Sequence, residues 1–547
     1  MLAELAGENP FKVRAMAGAA RTVQRFSGDL AETAARGELT DLPGIGKGIA
    51  AVITETLDRG EPAQLLELRR TLPAGLPELL SLPGLGPKRV RSLWQDLGIT
   101  SPGELEYACR ENRLVSLPGF GPATQKKLLD AIEFRRSAAR QRHLSEAWAA
   151  ADDVVAALRR AFPKSEIAVA GEARRFCEVI TEACVVCAGL EVTGIENILK
   201  KHLKQVRADG DDAVTGNHAS GVPVRVVCAP KTGFGVALLR ETGSARHLEQ
   251  LAAVVAGSGI RLEGGRLLDA AGGAIACGDE REAYRALGLP WIAPELREGD
   301  GEIDAAARGA LPTLVEQADV LGAVHAHTTD SDGTATLAEM AAAAKAMGWS
   351  LLGIADHSAV AAYAHGLDAE RLRAQGVEIA AHNANGGTPL LLRGLEADIL
   401  SDGTLDLPED VPLDFVVASV HSSFRQGVDA QTSRLVRAVS RGRGTILGHP
   451  TGRLLLAREG YAVDMEAVLQ AAAKSGAAVE INAHPFRLDL DWRWVRRAVA
   501  LGVPLSIGPD AHEPAGLADV RWGIGIARKG WAAAKDVLNT KPWPWWS

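Results

Sequence analysis

The 547 residues predict a multidomain chain: an α-helical N-terminal region, a middle segment, and a closed α/β barrel at the C-terminal end. Two observations carry this beyond length alone. A Leu-Pro-Gly-apolar-Gly sequence recurs three times in the first 145 residues. From about residue 313 onward, short apolar runs alternate with Ala-rich amphipathic stretches, the pattern of repeated β-α units.

Composition narrows the function classes. Apolar residues make up 47% and charged residues 23%, as in ordinary soluble globular proteins. The formal net charge is −8, so no overall cationic field advertises nucleic acid, and any such contact must be local. Six scattered cysteines suit a reducing interior. Cys184 and Cys187 form a C-x-x-C inside an apolar strand-like run with no second pair nearby, which argues against zinc. No apolar run is long enough to span a bilayer and no secretory signal opens the chain; a cytoplasmic monomer without a membrane partner is expected.

The repeats are LPGIGKGIA from Leu42, LPGLGPKRV from Leu82 and LPGFGPATQKK from Leu117. In each, two glycines (Gly44 and Gly46, Gly84 and Gly86, Gly119 and Gly121) allow a tight turn that exposes backbone N–H groups where the next helix starts. Lysines follow at Lys47, Lys88, Lys126 and Lys127. One copy would be only a tight connection. Three copies read as helix-hairpin-helix motifs that grip a DNA backbone without reading bases. Residues 1–145 are mildly basic within an acidic protein, with Arg135, Arg136, Arg140 and Arg142 adding charge after the third hairpin.

Residues 146–312 contain GEARRFCEVITEACVV from Gly171 to Val186, Val222-Pro223-Val224-Arg225, and Thr242-Gly243-Ser244. These resemble the nucleotidyltransferase palm of bacterial X-family DNA polymerases, with Gly171, Arg174, Arg175 and Glu178 matching its first motif. The resemblance implies three metal-binding aspartates; here Glu182, Cys184 and Pro223 stand in their places. Cysteine is a poor Mg²⁺ ligand and proline is none. The expectation is a palm-like α/β unit with a degenerate polymerase site, left as a structural remnant or as a means of positioning DNA. Arg281–Arg297 resembles the end of that palm, and the Gly- and acid-rich stretch 298–312 reads as a linker.

In residues 313–547 the strand-like runs are Gly322–Ala326, Leu351–Ala355, Leu390–Glu396, Phe415–Val420, Thr445–Leu447, Ala478–Ile481 and Leu505–Ile507. At or just after their ends stand His325, His327 and Asp332; His357; Glu396; His421; His449; and Asp510 with His512. The sixth run offers Asn482 and His484. Barrel strands deliver their C-terminal ends to one face, so six histidines and three carboxylates would converge there. Nine ligands exceed the needs of one ion and suit two or three. Imidazole and carboxylate donors without thiolate favour Mn²⁺, Zn²⁺ or Fe²⁺ over Mg²⁺ alone. Any single histidine is better read as a core or surface residue. Together, HxH-x4-D, DH, GxE, VH, GHP and DAH resemble the PHP (polymerase and histidinol phosphatase) metal hydrolases, which implies a distorted (β/α)7 barrel. His365 and His382 match nothing and are read as surface residues; His484 is given no role. Asp398 either supports the ligands or is merely solvated, and Asp356 is expected to support the cluster. Arg453, Asn482 and Arg487 match the polymerase-linked pattern and are candidates for holding a substrate phosphate.

The combined resemblance covers nearly the whole chain and implies a Mn²⁺-dependent 3′-5′ exonuclease acting on gapped or 3′-ended DNA in repair, with cleavage at abasic sites or blocked ends a further implication. No protein nucleophile or separate general base is evident. Three alternatives stand beside it: a small-molecule phosphomonoesterase of the histidinol phosphatase type, a non-catalytic DNA-repair scaffold, and an active gap-filling polymerase. The hairpins argue against the first, the complete ligand set against the second, and Cys184 with Pro223 against the third.

Overall fold

The computed structural model describes every residue except 25, 27, 111–113, 115–116, 139–140, 257–258, 264, 362–363, 409, 457–458 and 547. Arg140 and the side chains of Arg135 and Arg136 therefore lie outside what is described. The chain divides into two compact units, Met1–Arg140 and Gln141–Ser547.

The first unit is helical, and its three hairpins share one local geometry. Pro-Gly occupies the two central positions of a turn closed by Ile45, Leu85 and Phe120, whose N–H groups donate to the carbonyls of Leu42, Leu82 and Leu117 at 3.1 Å. That turn needs positive φ at its second central residue, and Gly44, Gly84 and Gly119 supply it at 78°, 85° and 85°. The apolar residue after each pair is buried. Ile45 joins a small core with Ala19 and Leu39, while Leu85 and Phe120 share another with Val90 and Leu93. Helices then start at Lys47, Pro87 and Pro122. Lys47, Lys88, Lys126 and Lys127 are exposed, and open space lies over Gly44, Gly46, Gly84, Gly86 and Gly121.

The second unit begins with a five-stranded sheet: β1 (Ile167–Ala170), β2 (Ala183–Ala188), β3 (Lys204–Asp209), β4 (Ala213–Asn217) and β5 (Pro223–Ala229), in the order β1-β2-β5-β4-β3. Only β2 and β5 are parallel. Every residue of β2 is buried, because the helix Leu144–Ala161 covers one face and the helix Phe234–Thr242 the other.

Leaving aside two short antiparallel pairs (Arg142–His143 with Val179–Ile180, and Arg261–Glu263 with Arg266–Leu268), the strands from Gly322 onward are β6 (Gly322–Ala326), β7 (Leu351–Ile354), β8 (Leu390–Arg393), β9 (Glu396–Asp398), β10 (Val416–Ser419), β11 (Thr445–Leu447), β12 (Ala478–Asn482) and β13 (Leu505–Gly508). All pair in parallel, in two sheets: β6-β7-β8 and β9-β10-β11-β12-β13. Isolated bridges join them at both seams, His357 to Glu396 and Ala326 to Ala511. The run Leu390–Glu396, expected as one strand, is therefore broken into β8 and β9. The ring of Phe415 packs where a Cβ on Gly394 would sit, within that break.

Two further expectations change. The sheet of β1–β5 and the strands from β6 onward share one continuous core, which includes Val154, Val185 and Ile195 on one side and Val479, Trp522 and Ile526 on the other. The stretch 298–312 is not a linker. Its Glu298 accepts from Arg175 Nε at 2.9 Å and from Lys529 Nζ, and the fully buried Glu302 meets His247 Nδ1 at 2.6 Å. Acidic residues that look solvated in sequence are here packed against distant polar partners: two cations for Glu298 and a buried imidazole for Glu302.

Candidate metal centre

The nine expected ligands meet at one end of the parallel strands. They form four overlapping groups: His327, Asp332, His357 and His512; His325, His327 and Glu396; His325, His449 and Asp510; and His357, Glu396 and His421. Among the described residues these are the groups of such side chains with ligand atoms close enough to share an ion. Glu396, at the start of β9, stands at the centre. Its carboxylate lies 2.8 Å from His357 Nδ1, 3.0 Å from His449 Nε2, 3.2 Å from His421 Nε2 and 3.3 Å from His325 Nε2. Asp510 Oδ1 lies 3.3 Å from His327 Nε2 and 3.4 Å from His325 Nε2, and Asp332 bridges His357 at 3.5 Å and His512 at 3.4 Å.

Local backbone geometry delivers these side chains. His325, His449 and Asp510 adopt positive φ of 73°, 24° and 52°. Such conformations cost about 1–3 kcal/mol each for non-glycine residues and concentrate where a site demands them. At His325 the register of β6 against β7 slips between Ala323 and Ala326, so the His325–His327 pair does not rest on simple strand alternation. The two rings still come within 5.3 Å, and His327 stacks on His512 at 4.1 Å.

The electrostatics follow from packing carboxylates and imidazoles together out of water. Burial lowers the His325 imidazole, but Glu480, Asp510 and Glu396 outweigh it and hold it well above its ordinary value. Burial is likewise outweighed at His357, raised to about 10 by Glu396 and Asp332, and at His421, raised to about 9 by Glu396 and Asp398. Burial dominates at His449, pushed down to about 3. Against burial, the surrounding histidines hold Glu396 and Asp510 well below the usual carboxylate range. Several histidine atoms of the cluster make no hydrogen bond though wholly buried: His325 Nε2, both nitrogens of His327 and His449 Nδ1. Buried polar atoms are nearly always satisfied, so orphans gathered around three carboxylates fit divalent cations as their missing partners.

Supporting residues surround the pocket. Glu480, on β12, was not anticipated: it accepts from His325 Nδ1 at 2.5 Å and from the His449 N–H at 2.7 Å. A signal existed, since Glu480 is a charged residue in an otherwise buried apolar run and alternates with Asn482. Asn482 donates to Asp510 Oδ2 at 3.0 Å and is fully buried, so it orients a carboxylate and is not available to a phosphate. Asp398 lies 3.3 Å from His421 Nδ1 and is buried, which removes the solvated alternative. Asp356 accepts from the Thr328 N–H and hydroxyl at 2.8 Å, from Ser331 Oγ, and from Gln375 Nε2 at 2.6 Å, tying down the loop that carries Asp332. His365 is exposed, and His382 is half-buried, its Nε2 3.0 Å from the Pro389 carbonyl.

Arg453 is a correction. Its guanidinium donates to the carbonyls of Arg487 and Leu488, to Asp491 at 3.2 Å and to Glu178 at 3.4 Å. Those partners occupy the donors that a substrate phosphate would need. Arg487 remains placed for that role: it is partly exposed, with Nε 3.5 Å from Asp510 Oδ2.

Models of known families match four stretches: a helix-hairpin-helix domain over residues 1–62, a SAM-like helix-hairpin-helix tandem over 76–133, a DNA polymerase beta thumb over 237–298, and a PHP domain over 323–484. The DNA polymerase/3′-5′ exonuclease PolX of Bacillus subtilis (strain 168) is 35% identical, covering 98% of this chain and 95% of its own length. This chain belongs to the X-family DNA polymerases that carry a C-terminal PHP domain. Probable phosphatases of Thermoanaerobacter sp. (strain X514) and Caldicellulosiruptor saccharolyticus are 27% and 30% identical over 40% and 34% of this chain, covering 89% and 78% of their own lengths. The thumb match contains Arg281–Arg297, which was expected to end the palm.

The positions at which metal-binding aspartates were expected have these surroundings. Cys184 on β2 is buried, and burial pushes its thiol up to about 12, so it is a neutral thiol. Arg225 on β5 is the register neighbour of Cys184 and pairs with Glu241 at 2.8 Å and Asp209 at 3.3 Å. Pro223 opens β5 opposite Asn217. The first-motif residues serve as joints. Arg174 grips Glu280 with two bonds of 2.6 and 2.8 Å, Arg175 binds Glu298, and Glu178 meets Arg453.

Proposed function

We propose that this chain is a divalent-metal-dependent DNA 3′-5′ exonuclease that trims or unblocks 3′ ends, activated by Mn²⁺, with a silent nucleotidyl-transfer centre. The observation that carries the reading is the pocket of six histidines and three carboxylates in which His325 Nε2 and both nitrogens of His327 are buried without a hydrogen-bond partner. Divalent ions held by His325, His327, Asp332, His357, Glu396, His421, His449, Asp510 and His512 would supply an activated water for attack on phosphorus and would offset charge on the departing 3′-oxygen. Zn²⁺ or Fe²⁺ suits the same donors.

The chain's own residues prepare the site. Glu480, Asp398 and the Asp510 carbonyl face the outer nitrogens of His325, His421 and His512, keeping the proton there and leaving the inner lone pairs toward the centre. Arg487 is placed to hold a non-bridging phosphate oxygen beside Asp510. In this reading residues 1–145 grip the DNA backbone, 146–312 position the end, and 313–547 cut. Arg225, Cys184 and Pro223 leave Glu182 as the lone carboxylate of the three expected positions, and one carboxylate does not hold two Mg²⁺ ions.

The test is 5′-labelled DNA incubated with Mn²⁺, with and without dNTPs, beside the variants His325→Ala and Glu396→Ala. The expected outcome is a shortening ladder that both variants abolish and no primer extension. Primer extension would overturn the silent palm. Hydrolysis of histidinol phosphate without DNA cleavage would establish instead the phosphomonoesterase reading, which the similarity to probable phosphatases favours and three DNA-gripping hairpins oppose.

A further inference from the structure

The metal pocket has an aromatic rim that the reading above does not use. Phe486 is exposed over 49% of its surface, a large apolar side chain left in water. Its ring lies 4.4 Å from that of His143 and 5.4 Å from that of His484, so three rings form a continuous shelf. The shelf adjoins the metal pocket: His484 lines a cavity of about 250 Å³ together with Asp510 and His512, and the next residue after Phe486 is Arg487, whose guanidinium reaches Asp510.

The shelf is also fixed in place. The Phe486 N–H donates to His484 Nδ1 at 3.3 Å, its carbonyl accepts from the Leu455 N–H at 2.7 Å, and the N–H groups of Arg487 and Leu488 donate to the His484 carbonyl at 2.8 and 3.1 Å. His143 Nε2 lies 3.2 Å from the Leu455 carbonyl. An exposed aromatic ring on a hydrogen-bonded backbone turn beside the metal pocket, next to a partly exposed arginine that reaches Asp510, has the chemistry of a nucleobase platform. The ring offers a face for stacking and the arginine takes the adjoining phosphate.

We infer that Phe486, backed by His143 and His484, stacks a nucleobase flanking the scissile phosphodiester and so positions the 3′ end in the nuclease site. This rests on the exonuclease reading and adds to it the residue that holds the base. Any base has a stacking face, so recognition would be general for sequence but would demand a base.

Two measurements test it. In EDTA, where no cleavage occurs, an oligonucleotide carrying 2-aminopurine at the 3′-terminal or the penultimate position is titrated with the full-length protein. Wild type should quench the fluorescence at one of the two positions; Phe486→Ala should not, and Phe486→Trp should restore it. With Mn²⁺, kcat/KM is compared for 3′ ends that carry or lack a base at those positions. Wild type should prefer the base-bearing end by roughly tenfold, a typical single-base stacking contribution. Phe486→Ala should reduce that preference to near unity while still cleaving the abasic end at the wild-type rate. An unchanged preference in Phe486→Ala, or wild-type fluorescence unquenched at both positions, would overturn the inference. Absence of any cleavage by wild type would instead overturn the exonuclease reading, and the EDTA titration would still decide the shelf.

Discussion

A carboxylate inside a buried strand is costly unless a nearby group needs its charge. Glu480 is fully buried, and its two oxygens are spent on His325 Nδ1 and the backbone N–H of His449, one bond for each of two expected metal ligands. A carboxylate on the outer nitrogen of a ligating histidine fixes its tautomer and raises its basicity. Replacing Glu480 by Gln keeps the shape and removes the charge. The Mn²⁺ concentration that gives half-maximal nuclease activity should rise by about 10- to 100-fold, with thermal stability little changed. An unaltered Mn²⁺ titration would assign Glu480 to packing alone. At the same scale, Asp398 and Asn482 act on single ligands, whereas Asp356 acts on a loop.

Among the elements, the hairpins show how a short sequence carries its geometry with it. Pro sets φ for the first central position, Gly alone accepts the left-handed second position, and the apolar residue that follows is drawn into the core. The outcome is the same turn three times, with open space above every hairpin glycine but Gly119, which Arg89 approaches, and lysine after each. Lys47→Ala and Lys88→Ala should each weaken duplex binding severalfold and lower the slope of log K against log salt by about one. Cleavage at saturating DNA should be unchanged; a salt slope that does not move would place those lysines off the DNA. The parallel strands behave differently. Their apolar runs were readable, but the break between β8 and β9 was not; Phe415, which precedes β10 in sequence, occupies the space over Gly394 within that break, a contact that spacing along the chain does not reveal.

Across the whole molecule, the motif that resembles a polymerase site has become part of the frame that carries the PHP domain. The ring of Phe176 fills the space over Gly525 and lies 5.3 Å from Trp148 and 6.3 Å from Trp522, and the buried Lys529 donates to the Arg175 carbonyl at 3.0 Å. Arg453 closes the same frame through Glu178. Arg453→Ala would leave the buried Glu178 without its ion-pair partner, a loss of about 3–5 kcal/mol when one partner of a buried pair is removed. The expected outcome is a lowered Tm with KM for DNA near wild type; a raised KM at unchanged Tm would return Arg453 to the phosphate.

What the amino-acid sequence determined alone was whatever depends on spacing along the chain: the hairpin turns, the parallel strand runs, and the nine ligand-type residues at strand ends. Strand ends of a β-α array are gathered by the topology itself, so a linear pattern suffices to find them. What only the tertiary structure decided was who pairs with whom across hundreds of residues. Arg453 with Glu178, Glu298 with Lys529, Glu302 with His247, and Glu480 with His325 are each polar pairs in which the partner offsets the cost of removing the other from water. Burial of a charge depends on a partner that spacing does not reveal. For that reason a stretch of Gly and acid that reads as a linker is in fact a seam, and an arginine that reads as a phosphate ligand is a strut.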